Sequence, residues 1–151
     1  MTPDNTHPTF ILFELAHTTY GIPSDLVQQM EMIEQITPVP SSQPFVEGVV
    51  FSRGQVIPVI NLRVKFGLEK IPYTPSTRLI VIHLNPRTVG LIVDTAREFI
   101  SIPTDAMQPP PEGIPGIASR YLSAIATLKD RIILLLNAEE LLKTDLNPSP
   151  P

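Results

Sequence analysis

The chain has 151 residues, 42% of them hydrophobic and 17% charged, with a net charge of −4 and no cysteine. That is apolar material enough for a core and excludes a disordered chain, while the acidic balance offers no footprint for nucleic-acid phosphates or anionic lipid. Disulfides, thiolate catalysis and cysteine-based zinc sites fall with the missing cysteines.

Proline is over-represented: 18 residues, about 12% against a background near 5%. Proline breaks helix interiors and cannot donate to a central ladder. Long helices are therefore scarce, and many short strands between turns are expected. The opening "MTPDNTHPTF" has neither the cationic nor the apolar region of a secretory signal. The longest aliphatic run, Ile132 to Leu136, is about a quarter of the ~20 residues that span a bilayer. The expectation is a soluble cytoplasmic protein with no direct membrane insertion.

In chain order, Phe10–Leu15 and Tyr20–Ile22 flank "AHTT" and predict a first hairpin. The stretch "SDLVQQMEMIEQITPVP" is ambiguous: Leu26, Val27, Met30 and Ile33 suit a short helix, whereas Met30 and Met32 alternate as in a strand. A short turn capped by Ser24 or Asp25, followed by a strand, is the reading taken. "PVPSSQP" is a loop. Val46–Ser52 and Gln55–Asn61 form a hairpin joined at Arg53-Gly54, where Gly54 supplies the positive φ of a tight turn. Pro58 places its strand at an edge or at a bulge. Leu62–Phe66 suits one helical turn stopped by Gly67.

After the link "EKIPYTPSTR", Leu79–Leu84, Val89–Val93 and Glu98–Ile102 predict three strands, the first two split by "NPRT". The loop "PTDAMQPPPEGIPGIASR" leads to Tyr121–Leu128 and Arg131–Leu136, joined at Lys129-Asp130, and a helix over Ala138–Lys143 follows. About five strands lie on each side of residue 70, with the frequent turn signals of an all-β barrel or sandwich. Two units of ~60–70 residues are each marginal alone. They should share an apolar seam, with the C-terminal helix clipped onto it. No internal repeat of fixed period is visible. Residues 1–8 and 144–151 are expected to be flexible tails.

Patterns that carry chemistry are sparse. His7, His17 and His83 have no second ligand at metal spacing. Asp94 stands at a strand end, where a catalytic carboxylate can sit, and Asp105 and Glu112 fall in the proline-rich loop without a tied partner. No phosphate-binding glycine loop or nucleophile elbow occurs. The expectation is no enzyme, no metal and no cofactor. "PPPEGIP" is a polyproline ligand for an SH3-type groove or, inside a folded domain, a stiff connection between strands. The alternative class is a small β-barrel that binds nucleic acid, which an aromatic content of 6% and the negative charge disfavour.

Taken together, "YGIP", "ITPVP", "PFVEGVV", "SRGQVIPVINLRVKFGL", "VGLIVD", "PPPEGI" and "YLSAIATLKDRIILLLNAEELL" resemble the CheW family of chemotaxis adaptors, from about Phe10 to Leu142. The same fold forms the regulatory domain of the kinase CheA and part of CheV. The resemblance implies one domain over 9–145, all-β, built of two intertwined five-stranded SH3-like barrels with a short C-terminal helix. The first barrel is expected over about 9–68 plus a C-terminal segment, the second over about 77–137. It implies a non-catalytic adaptor, held at membrane-associated receptor arrays through its partners, that links the cytoplasmic tip of a chemoreceptor to the regulatory domain of a CheA-type histidine kinase. Chemotaxis, pilus motility and phototaxis are the pathways in view. Val27, Met30, Ala96 and Phe99 match a groove between the barrels that grips a receptor helix, and Val27 and Ala96 suit the core equally well. Gly48, Arg53 and Gly54 match the kinase- or partner-binding hairpin. Gly48 would admit a partner's backbone or relieve a bulge. Arg53 would meet a partner or end a solvated tip. Two departures stand out: Phe51-Ser52 replaces the usual Asn-Leu, with Phe51 either outside or inside the barrel, and Arg78 replaces a small aliphatic residue near the groove.

Overall fold

A computed structural model describes residues 7–40, 43–111 and 119–143. The elements are β1 (Thr9–Leu15), β2 (Thr18–Pro23), a 3-10 turn at Ser24–Leu26, β3 (Val27–Met32), β4 (Val46–Ser52), β5 (Gln55–Asn61) and α1 (Leu62–Lys65), then β6 (Arg78–Leu84), β7 (Arg87–Val93), β8 (Thr95–Ser101), β9 (Met107–Gln108), β10 (Leu122–Leu128), β11 (Arg131–Leu136) and α2 (Ala138–Leu142). One sheet has the order β8-β1-β2-β11-β10-β9 and the other β3-β6-β7-β5-β4. The expected count of five and five is thus six and five, because the proline-rich loop contributes the two-residue β9.

The sheets do not divide the chain at the link after residue 68. β3 to β7 build the five-stranded sheet, and β1, β2 and β8 to β11 build the other. The chain crosses between them twice, at Ser24–Leu26 and at Asp94. β1, β6 and β7 read as aliphatic runs because each is buried on both faces over most of its length, and β11 joins them from Ile133 on, Ile132 being exposed. Ile11, Phe13, Ile80, Ile82, Val89, Leu91 and Leu136 face the seam between the sheets, together with Leu141 and Leu142 of α2. Phe10, Leu12, Ile133 and Leu135 fill the hollow of the six-stranded sheet, while Leu79, Val81 and Ile92 fill that of the other.

A repeat is present after all. Phe13 pairs with Ala96 and Ile11 with Phe99, and 69 residues on, or back, Ile82 pairs with Val27 and Ile80 with Met30. The hairpin pair Val49–Pro58 likewise recurs 76 residues later as Ile125–Leu134. The interval changes because the loop before β10 is longer than the one before β4, so no fixed period exists for a sequence scan to find. Each half gives its first two strands to one sheet and the rest to the other: β1 and β2 join β8 to β11, and β6 and β7 join β3 to β5. That exchange makes the two units intertwined.

Neither ladder closes on itself, and a few contacts span each gap. The single bridge Thr37–Val49 ties the chain beyond β3 to β4. The Gln29 side-chain amide donates to Ser52 Oγ at 2.9 Å across the same gap. In the other sheet the counterpart of Gln29 is Glu98, which meets Arg131 of β11 at 3.0 Å.

Several local expectations change. The first hairpin turn is only Ala16-His17, both at positive φ, so β2 begins at Thr18. The cap of the 3-10 turn is Pro23, with no side-chain bond from Ser24 or Asp25. β5 is interior and unbulged at Pro58; its pairing to β7 begins only at Val59, so the missing N–H interrupts no ladder. β8 begins at Thr95 and ends at Ser101, and Tyr121 belongs to a 3-10 turn. Gly67 ends α1 as expected, with Gly67 N–H bonding Val64 O and Leu68 N–H bonding Arg63 O. Of the polyproline motif, residues 112–115 lie outside the described residues, as do 1–6 and 144–151 of the two tails, while Pro8 O accepts from Ile102 N–H at 3.0 Å.

Candidate docking surfaces

β3 and β8 are edge strands of opposite sheets, and both carry a register slip. In a regular strand, residues three apart face opposite ways. Here residue 28 is skipped, so Val27 and Met30 stand opposite Ile82 and Ile80. Residue 97 is skipped, so Ala96 and Phe99 stand opposite Phe13 and Ile11. All four partners face the seam. Two bulges therefore turn two apolar pairs to the same side, the use to which bulges are put at functional edges. Val27 and Ala96 pack partly against the shared core, whereas Met30 is 47% and Phe99 63% exposed. The two halves contribute counterpart pairs, one on each rim. Arg78 faces the same way opposite Met32, and its guanidinium donates to the Pro75 and Thr77 carbonyls at 2.7 and 3.0 Å.

The β4–β5 hairpin ends in Arg53 at φ 51 and Gly54 at φ 77, the two positive values of a type I′ turn, which fits the twist of a hairpin. Gly48 has φ 147, and a Cβ there would lie 2.1 Å from Thr37 O. The backbone that approaches Gly48 is thus the chain's own Thr37–Pro38, at the bulge beside Val46. Phe51 points outward at 75% exposure, and its cross-strand partner Val56 is exposed too. Ser52 turns inward to Gln29. Arg53 is exposed and makes no hydrogen bond or ion pair among the described residues.

Sequence reasoning missed the strongest polar contact. Arg63 of α1 grips Asp94 with Nε to Oδ1 at 2.8 Å and Nη2 to Oδ2 at 2.7 Å, while Ala16 N–H donates to Oδ2 at 2.9 Å. Burial alone would push the Asp94 carboxyl up; the bonds from Arg63 and Ala16, with the arginine charge, overcome it and hold the group below its usual range. The bond to Asp94 raises Arg63 in turn. Asp94, weighed as a catalytic carboxylate, is occupied as a clamp between the sheets. Burial, with Glu47 nearby, pushes the Tyr73 hydroxyl to about 12. Among the described residues no group of three acidic or imidazole side chains is placed to hold a metal. No described helix is long and apolar enough to cross a membrane.

Residues 9–146 match the family model of the CheW-like domain. The chain is 32% identical to a chemotaxis protein CheW of Klebsiella aerogenes, over 90% of this chain and 82% of that one. It is 31% identical to protein FrzA of Myxococcus xanthus, over 89% and 85%. The crystal structure of the scaffolding protein TtCheW from Thermoanaerobacter tengcongensis superposes with a TM-score of 0.82 at 30% identity, covering 87% of this chain and 89% of that one. With a family match along nearly its whole length and the same intertwined two-sheet fold, the chain belongs to the CheW-like domain family.

Proposed function

We propose that this chain is a non-catalytic adaptor of a chemotaxis or related motility pathway, coupling the cytoplasmic tip of a chemoreceptor to the regulatory domain of a CheA-type histidine kinase. Family membership and the scaffolding relative support the adaptor class. The observation that carries the receptor half is the pair of bulged rims, which present Val27, Met30, Ala96 and Phe99 on the seam-facing sides of two edge strands. Two apolar rims of this kind suit the apolar stripe of a partner helix, with Met30 as an adaptable and Phe99 as a bulky anchor. The kinase half rests on the end of the hairpin, where Phe51 in β4 and Arg53 in the two-residue turn stand exposed. Gly54 shapes that turn; Gly48 supports the hairpin from behind and needs no partner. Arg78 sits at the outer end of the groove face. No observation favours a nucleic-acid binder: Arg63, Lys70 and Arg131 are spent on the chain's own carboxylates.

Calorimetric titration of the purified chain with a receptor-tip fragment and, separately, with the kinase regulatory domain tests the reading. Micromolar binding, about −8 kcal/mol, suffices because an array multiplies weak contacts. Binding to neither would sink it.

A further inference from the structure

The two crossings between the sheets are counterparts in the internal repeat, and each runs beside a cleft. At the Asp94 crossing the cleft is lined by Asn61, Arg63 and Ile92, and the link residues Ile71, Pro72 and Tyr73 cover it, leaving about 10 Å³. Arg63 fills that space with its grip on Asp94. At the other crossing the lining residues are Asn137, Glu139, Pro23 and Asp25. Asn137 and Glu139 follow Asn61 and Arg63 by 76 residues, and Pro23 and Asp25 precede Ile92 and Asp94 by 69. This cleft is open, with a volume of about 460 Å³, and Leu26, Leu84 and Leu136 form its apolar walls. A glutamate stands where the first cleft has its arginine, so two carboxylates share one cavity. Asp25 and Glu139 are exposed and make no hydrogen bond or ion pair among the described residues.

We propose that the Asp25–Glu139 cleft docks an arginine side chain presented by a partner protein, which gives Asp25 the two-pronged contact that Arg63 gives Asp94. The planar fork of a guanidinium matches a carboxylate in a way an ammonium does not, and its aliphatic stem lies along Leu26, Leu84 and Leu136. Residues 144–151, "TDLNPSPP", hold no lysine or arginine and add Asp145. The cleft lies outside the groove rims and the hairpin tip, so it is a third contact of the protein and does not depend on the adaptor reading.

The test is a titration of the ¹⁵N-labelled full chain with acetyl-Leu-Arg-Leu-amide, alongside peptides with citrulline or lysine in place of the arginine. Amide shifts gathered at Asp25, Leu26, Ser123 and Asn137 to Glu139, with saturation in the millimolar range, are expected for the arginine peptide. The double variant Asp25→Asn, Glu139→Gln should bind about tenfold or more weakly, as for lost charge-assisted bonds, with unchanged thermal unfolding. Equal shifts with citrulline or lysine, shifts elsewhere, no shifts, or undiminished binding by the variant would overturn the proposal. So would movement of the cleft amides on removal of residues 144–151, which would make the tail the occupant. Should the double variant unfold, the citrulline and lysine arms still decide. Failure here leaves the binding of receptor and kinase fragments untouched.

Discussion

Gly48 and Arg53 sit five residues apart on one hairpin and should respond oppositely to substitution. A Cβ at Gly48 meets the Thr37 carbonyl oxygen at 2.1 Å, and the offending atom is backbone, which cannot swing away. Gly48→Ala is expected to cost about 2–4 kcal/mol, in the range of changes that violate a special backbone conformation; a variant as resistant to urea as the parent would contradict the close approach. Arg53→Glu should leave the urea midpoint within ~0.5 kcal/mol of the parent and weaken binding to the kinase regulatory domain. Unchanged affinity would remove Arg53 from the interface. Met30→Glu makes the matching test of the groove: stability is kept, because Met30 is 47% exposed, and receptor-tip binding falls about tenfold, as for a desolvated anchor lost. The sequence motif led to Gly48 and Arg53 alike and was silent on their difference. A glycine required by the protein's own backbone looks in sequence like one required by a partner.

Most strands were visible in the sequence as apolar runs, and their faces were not. Val27 and Met30 lie three apart, which for a strand means opposite sides, and only the slip at residue 28 unites them. A bulge depends on the partner strand's register, and that partner, β6, lies some fifty residues away. The Arg63–Asp94 clamp escaped for the same reason: its members belong to a helical turn and a crossing brought together by the parallel pairing of β5 with β7. The clamp has a pH signature. A carboxyl held below its unfolded value adds stability that is fully present above that unfolded value, about 3.9, and is lost as pH falls through the lower folded one. Asp94→Asn should therefore cost about 2 kcal/mol at neutral pH and flatten the loss of stability on acidification. Urea midpoints of both proteins across the acid range check this; parallel curves would mean Asp94 is not the group responsible.

For the whole molecule, cutting at the link divides the sequence tidily and the structure badly. A fragment ending near residue 68 keeps β3 without β6, and a fragment starting near residue 77 keeps β8 without β1. Each has a bare edge and an open core. The two are expected to show no cooperative unfolding alone and to regain it on mixing, followed by circular dichroism. In contrast, 24–94 contains every strand of the five-stranded sheet and should retain native-like strand content by itself, with its seam face exposed. Independent folding of the two link-cut fragments would contradict the exchange of strands. Composition and turn spacing were enough to indicate small β-units. The allocation of strands was not, since it follows from long-range pairing that leaves no local trace.

The reciprocal pairing also sets an order for synthesis. β1 leaves the ribosome early, yet its neighbour β8 begins at Thr95, some eighty residues after β1 ends at Leu15, and at ~5–20 residues per second that is a wait of about 4–16 s. Throughout that interval the strand "TFILFEL" lacks the partner that covers its free edge. The central sheet can assemble in the meantime, because residues 27–93 supply all five of its strands. The central sheet can thus be complete while β1, already paired with β2 on one edge, still waits for β8 on the other.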